Sequence, residues 1–419
     1  MPRRLFVAGG AVVAVGAVAA LRPADRGAGG HNEYFMRMSA ALKAAGIAHP
    51  VMVIDRERLA ANIATVKAAI GPSGHATRVV AKSLPSPKLL ETVMRGVGTD
   101  RAMVFNGATL EQVATARPDA DLLLGKPLPA LEVDAFVARH AGQDGPSAHP
   151  QFLVDSTARM VQIIEIARAR HAPVRVNCEI DVGLHRGGFA SDADLASALE
   201  LAAAEPLVRP SGLMGYDPHV VKVPFQAAAM ENVRRQYAAR RSVLHEKVQA
   251  DPRMMTFNTA GSPTYRLHLD DGNANELALG SSFVKPADFE IPTLATHVPA
   301  AFIATPVIKS AGETRIPGLE SLAPVLRAWD RNSARAWFIY GGHWLATPVS
   351  PAGLQYNGIF GRSSNQEMLT GSVGVELGVD DYVFLQPNQS ESVFLQFGDL
   401  VVYEGGKVTE RWETFPVSA

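Results

Sequence analysis

From about Pro50 to Gly280 the chain alternates short apolar runs with longer stretches of helical periodicity, and this alternation restricts the fold more than any other feature. The runs are VMVI (51–54), TRVVAK (77–82), AMVF (102–105), DLLLG (121–125), QFLVD (151–155), VRVNCEID (174–181), SGLMGY (211–216) and MMTFN (254–258). Each is short and many are β-branched, as strands buried on both faces tend to be. Between them lie helical stretches such as Arg56–Ala69, Pro87–Arg95, Ala108–Ala116, Ala158–Arg170, Leu195–Ala204 and Gln226–Gln249. Eight strand candidates alternating with helices predict an α/β fold, a (β/α)8 TIM-type barrel over residues 40–290, with a doubly wound sheet as its rival. After about Ile291 the helical periodicity fades. Runs such as AAFIATPVI, RAWFIY, YVFLQ and LVVYEGGKV, punctuated by Gly, Pro, Asn and Asp, predict a smaller, mostly β domain over 291–419.

Charge and cysteine usage exclude several functions. Lys plus Arg number 40 against 41 for Asp plus Glu, with no block of like charge, so the chain lacks the footprint that nucleic-acid backbones demand. Cys178 is the single cysteine, which rules out an intramolecular disulfide and a thiolate zinc cluster and reads as a small buried hydrophobe. The first thirty residues are different material. Arg3 and Arg4 precede an uncharged run from Leu5 to Leu21, which breaks at Pro23, Asp25 and Arg26. That order matches an export signal, and the paired arginines before Leu5 and Phe6 resemble a twin-arginine signal, cleaved near Ala19 or Ala20. The expectation is a periplasmic or exported protein. The alternatives are a membrane anchor at this segment, the one place where membrane contact is expected, and a chance extension of the start.

Lys82 is the first chemical candidate. It closes TRVVAK and is followed by Ser83-Leu84-Pro85-Ser86-Pro87, a loop that leads into a helix. A lysine at the carboxyl end of a barrel strand faces the active-site mouth, where desolvation would lower its pKa and make it a usable amine for a Schiff base. The plain alternative is a charge on the rim. In NTAGSPTY (258–265), Asn258 and Thr259 end a strand and lead into Gly261 and Ser262, a turn whose amides and hydroxyls could cup a phosphate or serve as an ordinary loop.

Several segments, in order, resemble the pyridoxal-phosphate (PLP) barrels of fold type III, the D-serine dehydratase and D-threonine aldolase group with an alanine-racemase-type N-terminal domain. HPVMVIDRERLAANI looks like the opening strand and helix, with Asp55, Leu59 and Asn62 at recurrent positions, and RVVAKSLPSPKLL like the cofactor segment. EIDVGLHRGGF (179–189), the most specific match, is followed by GLMGYDPH (212–219), NTAGSPTY and ELALGSSF (276–283). The resemblance implies that Lys82 carries PLP as a Schiff base and that Arg78 sits beneath it. It further implies that Asn258, Thr259, Gly261 and Ser262 hold the phosphate and that Tyr216 packs on the ring. Arg186 would hold the phenolic oxygen, or pair instead with Asp181 or Glu179. His219 and, on the tail, His343 with Trp344 are candidates for contact with substrate. A homodimer is also implied.

The tail departs from that pattern. The group's metal pair is a His and then a Cys or Asp two residues later; here QPNQSES puts Gln389 and Glu391 at those positions. The upstream Glu-His pair is replaced by Gln366 and Glu367. Amide and carboxylate oxygens suit Mg²⁺, Mn²⁺ or Ca²⁺ better than zinc, so a divalent cation other than zinc is expected if the site survives. Ala278 stands where relatives often carry arginine, which leaves the pyridine nitrogen without an assigned partner. The leading expectation is a PLP-dependent lyase that dehydrates or cleaves a β-hydroxy D-amino acid such as D-threonine or D-serine. One alternative is an amino-acid racemase, which needs a second base, commonly a tail tyrosine; Tyr340, Tyr356 and Tyr382 are available. The other is a PLP- or ligand-binding protein without catalysis.

Overall fold

Short polar residues start the helices of this chain, and prolines and glycines bound them. The computed structural model describes residues 22–417 apart from 28, 316 and 319, so the heart of the expected export signal, including Ala19 and Ala20, lies outside the described residues. Helix α1 (Glu33–Ala44) is capped by the Asn32 side chain and leads to strand β1 (Val51–Asp55). Helix α2 (Arg56–Ile70) then begins on Asp55, whose side chain accepts from the Arg58 amide.

The alternation continues through β2 (Ala76–Val80), α3 (Pro87–Val97), β3 (Arg101–Val104), α4 (Gly107–Ala116), β4 (Asp121–Leu124), α5 (Ala130–Arg139) and β5 (Gln151–Val154). It is completed by α6 (Thr157–Arg170), β6 (Val174–Ile180), α7 (Asp192–Ala203), β7 (Val208–Gly215), α8 (Gln226–Lys247), β8 (Thr256–Thr259) and β9 (Glu276–Leu279). Ser86, Asn106, Ser156 and Ser191 cap α3, α4, α6 and α7, each accepting from an amide three residues on. Strands β2 to β9 pair in parallel and close into an eight-stranded barrel. The TIM-type barrel is therefore present, and the doubly wound rival is not.

Two compact units make up the chain. The β unit comprises residues up to Val53 with Phe302–Asn388 and Val401–Glu410; the barrel unit comprises Ile54–Ala301 with Gln389–Leu400 and the chain from Arg411. The division thus runs neither at residue 40 nor at 291. Residues preceding the barrel join the β unit, and two tail segments belong to the barrel unit.

The run VMVI, expected as the first barrel strand, lies instead in β1, between β10 (Ala301–Glu313) and β16 (Leu400–Glu404) of the other sheet. The eighth barrel strand is β9, the ELAL of ELALGSSF. All five residues of β1 are buried, so its sequence shows burial on both faces but not which sheet supplies its neighbours. The remaining strands of the nine-stranded sheet are β11 (Arg335–Tyr340), β12 (Ala346–Ser350), β13 (Gln355–Tyr356), β14 (Gln366–Gly371), β15 (Tyr382–Pro387) and β17 (Lys407–Trp412). Phe35, Met38 and Leu42 of α1 pack with Val53, Phe302 and Phe384 in the core of this unit. Among the described residues no helix is long and apolar enough to cross a membrane.

Candidate active site

The amino ends of the barrel strands are closed by a polar plug built on Arg78 of β2, which has no solvent exposure. Its Nε donates to Glu276 Oε1 at 2.5 Å and its Nη2 to Glu276 Oε2 at 3.0 Å and Asp121 Oδ2 at 2.6 Å. Its Nη1 donates to the carbonyls of Ala102 and Asp121, so all five N–H groups are engaged. Burial works against the Arg78 charge, but Glu276 and Asp121 outweigh it and raise the pKa. Desolvation likewise opposes the Asp121 carboxylate, yet Arg78 and Arg175 pull it down to about 2. Arg78 is thus a structural cation of the barrel floor and is not among the residues lining the cavity at the other end of the strands.

At the opposite, carboxyl ends of the strands lies a cavity, the place of an enzyme site on such a barrel. It brings together Lys82, Arg186, Tyr216, Asn258, Gly261 and Ser262 among the expected site residues. Met103, Phe105, Met214 and Phe289 supply apolar wall, and Ala278 lines it as well, offering no charge where relatives often place arginine. Lys82 sits in a 3-10 turn just beyond β2. It is not buried as expected: its side chain is 39% exposed, its Nζ pairs with Glu391 Oε1 at 2.8 Å and lies 4.7 Å from the Phe105 ring centre. Glu391 opens the short helix α9 (Glu391–Phe394), in a tail segment of the barrel unit.

Arg186 lies over the Tyr216 ring at 4.9 Å and makes no hydrogen bond or ion pair among the described residues. Of the carboxylates near it, Asp181 accepts from the His185 ring at 2.7 Å, while burial raises the pKa of Glu179 against the opposing pull of the Arg186 charge. Burial also raises the Tyr216 phenol.

The turn after β8 is tied to the turn after β9. Ser262 Oγ accepts from the amides of Gly280 at 3.1 Å and Ser282 at 2.9 Å. Side chains would not fit here: a Cβ on Gly261 would lie 2.6 Å from Tyr216 Cε2, and one on Gly280 would lie 2.7 Å from Ser83 Cβ. At these two positions the turns therefore present bare backbone. Beneath them runs a buried relay that the sequence reading missed. The Thr264 hydroxyl accepts from the Gly261 amide and donates to Asp217 at 2.7 Å, whose other oxygen lies 2.7 Å from His268 Nε2; His268 Nδ1 is 3.0 Å from Asp271.

Burial disfavours the His268 charge, but the two carboxylates raise its pKa to about 9. His297, in contrast, lies between the Ser282 carbonyl and the Tyr265 hydroxyl, and desolvation lowers it to about 4. Since an exposed histidine titrates near 6.5, the His268 contribution to stability is full below that pH and is lost as pH rises through about 9. The His297 contribution is full above 6.5 and is lost as pH falls through about 4. Each is worth on the order of a few kcal/mol. Thermal unfolding followed across pH should peak near 6.5, and His268→Gln should flatten the alkaline limb while leaving the acid limb.

Other expected site residues fall elsewhere. Thr259 does not line the cavity, and its hydroxyl is buried without a hydrogen-bond partner among the described residues. His219 does not line it either; its Nδ1 is likewise buried without a partner among the described residues. His343 lies in the β unit, where its amide donates to Glu367 at 2.6 Å; Glu367 also takes both Arg362 Nε and Nη2. The Tyr356 hydroxyl is spent on the Ala346 carbonyl and that of Tyr382 on the Ile47 carbonyl. The expected metal pair is not assembled. Gln389 donates to Asp288 at 3.4 Å, Glu391 pairs with Lys82, and among the described residues no group of three His, Cys, Asp or Glu is placed to hold a metal.

The cavity suits PLP on its own geometry: an accessible amine, a guanidinium without a hydrogen bond or ion pair among the described residues, an aromatic ring, and two turns that have no room for a side chain at Gly261 and Gly280. Comparison with known proteins agrees. No curated protein matches the sequence. In fold, the chain resembles D-threonine aldolase from Filomicrobium marinum with TM-score 0.71, 16% identity, and 87% and 96% of the two chains covered. D-threo-3-hydroxyaspartate dehydratase from Delftia sp. HT23 gives TM-score 0.68, 17% identity, and 87% and 97% covered. The alanine racemase of Bacillus anthracis gives 0.65, 14%, and 87% and 98%. At such identities the likeness carries the fold alone. The model of the alanine racemase N-terminal domain matches residues 54–285, more than half of the sequence, and the chain therefore belongs to that family, the pyridoxal-phosphate barrels of fold type III.

Proposed function

We propose that the chain is a PLP-dependent lyase that dehydrates or cleaves a β-hydroxy D-amino acid of the D-serine or D-threonine kind. One observation carries the reading: the Lys82 amine lines the same cavity as Arg186, Tyr216 and the bare turns at Gly261 and Gly280. When bound, PLP supplies an electrophilic aldehyde for an amine and an electron-withdrawing ring that weakens the bonds at a substrate's α-carbon. The rest falls to the protein. Lys82 Nζ would hold the cofactor and would serve as the base at a bound substrate's α-carbon. Arg186 meets negative charge with a guanidinium that makes no hydrogen bond or ion pair among the described residues, and the lack of a side chain at Gly261 and Gly280 lets a phosphate approach the backbone there. Glu391, 2.8 Å from Lys82 Nζ, orients that nitrogen. A homodimer exported through the paired arginines belongs to the same proposal, on family likeness and on Arg3 and Arg4.

The test is direct. Protein loaded with PLP is incubated with D-threonine and with D-serine, and the products are identified. Glycine with an aldehyde, or a keto acid with ammonia, is the expected outcome. Formation of the L-enantiomer alone would make the chain a racemase, and a loaded protein without turnover on any D-amino acid would make it a binding protein.

A further inference from the structure

Strands β10 and β11 pair antiparallel as far as Glu313 and Arg335, and the chain between them makes an excursion over the β unit. It contains a 3-10 turn, Glu320–Leu322, continued by the short helix Ala323–Trp329. Leu322, Val325 and Trp329 have the spacing of side chains on one helical face, and all three stand in solvent, 48%, 66% and 39% exposed. Other positions fasten the helix to the unit: Ala323 is buried, and Arg327 donates to the Thr314 carbonyl at 3.1 Å and pairs with Glu313 at 2.9 Å. The N-terminal part of the described chain is tied to the same excursion. Arg22 Nε donates to the Trp329 carbonyl at 3.1 Å, Asn332 Nδ2 to the Ala24 carbonyl at 2.7 Å, and the Arg26 amide to Asn332 Oδ1 at 2.8 Å. Arg22 directly follows the uncharged run Leu5–Leu21, so those 17 residues join the β unit beside the apolar stripe. Positions 22–26 and 313–335 together carry six arginines and four carboxylates, and Arg22, Arg26, Arg315, Arg331 and Arg335 are exposed.

We infer that this face of the β unit lies on an anionic bilayer, with Leu322, Val325 and Trp329 in the headgroup boundary and the neighbouring arginines at the lipid phosphates, while Leu5–Leu21 holds the chain to the membrane. The inference takes from the export reading only that Leu5–Leu21 seeks membrane, and it takes nothing from the chemistry at Lys82. A tryptophan at the edge of an apolar stripe, bordered by arginines, suits the boundary between lipid and water, where an indole ring and long cationic side chains are both satisfied. The stripe is short, and by itself it would hold a protein weakly. Tethering changes that: a run of 17 residues is at the lower limit for spanning a hydrocarbon core, so its end at Arg22, and with it Trp329, is kept at the headgroups at high effective concentration.

Trp329 reports on this surface by itself, because the other tryptophans, Trp337, Trp344 and Trp412, are buried. The full chain is mixed with vesicles of phosphatidylglycerol and phosphatidylcholine, and tryptophan emission is read with acrylamide in the water and, separately, with bromine on the acyl chains. Quenching by acrylamide should be present without vesicles and lost with them, brominated lipid should quench instead, and Trp329→Phe should abolish both signals. Leu322→Asp combined with Val325→Asp, both at exposed positions, should restore acrylamide quenching on vesicles while the chain still sediments with them and unfolds at the parent's midpoint. A chain that sediments with vesicles while Trp329 stays open to acrylamide, or a double variant that stays shielded, overturns the surface assignment and leaves the membrane-seeking run standing. A chain that does not sediment with vesicles overturns both. Trp329 already shielded before vesicles are added would mean that Leu5–Leu21 or a second copy of the chain covers the stripe, which overturns the bilayer as its occupant.

Discussion

Lys82→Ala should lose the visible absorbance of the PLP-loaded protein and lower kcat/KM on its D-amino acid by about 10³-fold or more. General-base catalysis by a positioned group contributes roughly 10² to 10⁴, and in the proposed function the same nitrogen also anchors the cofactor, so the loss falls at or beyond the upper part of that range. The variant should nonetheless fold normally. The Lys82 side chain is 39% exposed and its partner Glu391 is 40% exposed, and ion pairs in such settings contribute at most about 1 kcal/mol. Loss of colour and turnover with an unchanged unfolding midpoint is therefore the signature of a chemical lysine. If Lys82→Ala keeps its colour, the cofactor is held by another amine and the assignment fails. Glu391→Gln separates the partner's role: the amide keeps the shape and loses the charge, so colour is retained while the pH at which the visible band changes moves.

Much of this architecture is legible in the residues, and the gaps have physical causes. Strands β2 to β8 announce themselves because parallel strands covered by helices are apolar on both faces. β9 is passed over because VMVI completes the count of eight; its leading charge, Glu276, is met by Arg78, Arg101 and Asn258 inside the barrel. VMVI shows the converse: it has the right pattern and the wrong sheet, because hydrophobicity records burial and not the identity of the neighbouring strand. Helix α1 carried usable signals, the Asn32 cap and an apolar stripe at Phe35, Met38 and Leu42, hidden by their nearness to the expected export signal.

Site residues divide the same way. Lys82, Arg186, Tyr216, Asn258, Gly261 and Ser262 stand in ordered segments at strand ends, and strand ends share one face of a barrel. Glu391 comes from a tail segment whose return to the barrel unit no local pattern encodes, so it reads as half of a metal pair until its carboxylate is seen beside Lys82. Arg78 and Thr259 show the limit of position alone. Each lies close in sequence to a cavity residue, yet along a strand successive side chains point to opposite faces and depth in the barrel varies.

Arg78→Met should destabilise the barrel by about 3–5 kcal/mol, the cost of leaving buried charge without its partner. Methionine fills much of the volume but removes five donors at once. Glu276, which has no solvent exposure, would retain Arg101 and Asn258; Asp121 would retain Arg175 and Gln151. Arg78→Lys should recover little, because an ammonium cannot reproduce the planar fork that spans two carboxylates. Arg78→Met combined with Glu276→Gln should recover more, since an amide tolerates burial without a counter-charge. Urea unfolding at neutral pH reads all three, and an Arg78→Met midpoint equal to that of the parent chain would contradict this account. The acid limb gives a second reading. The Asp121 pKa is depressed to about 2, so its contribution is full above 3.8 and is lost as pH falls through about 2; without Arg78 that loss should begin at higher pH. Because Asn258 donates to Glu276 at 2.8 Å and also lines the cofactor cavity, the surviving folded fraction of Arg78→Met should bind PLP more weakly than the parent, linking the floor of the barrel to its mouth through one amide.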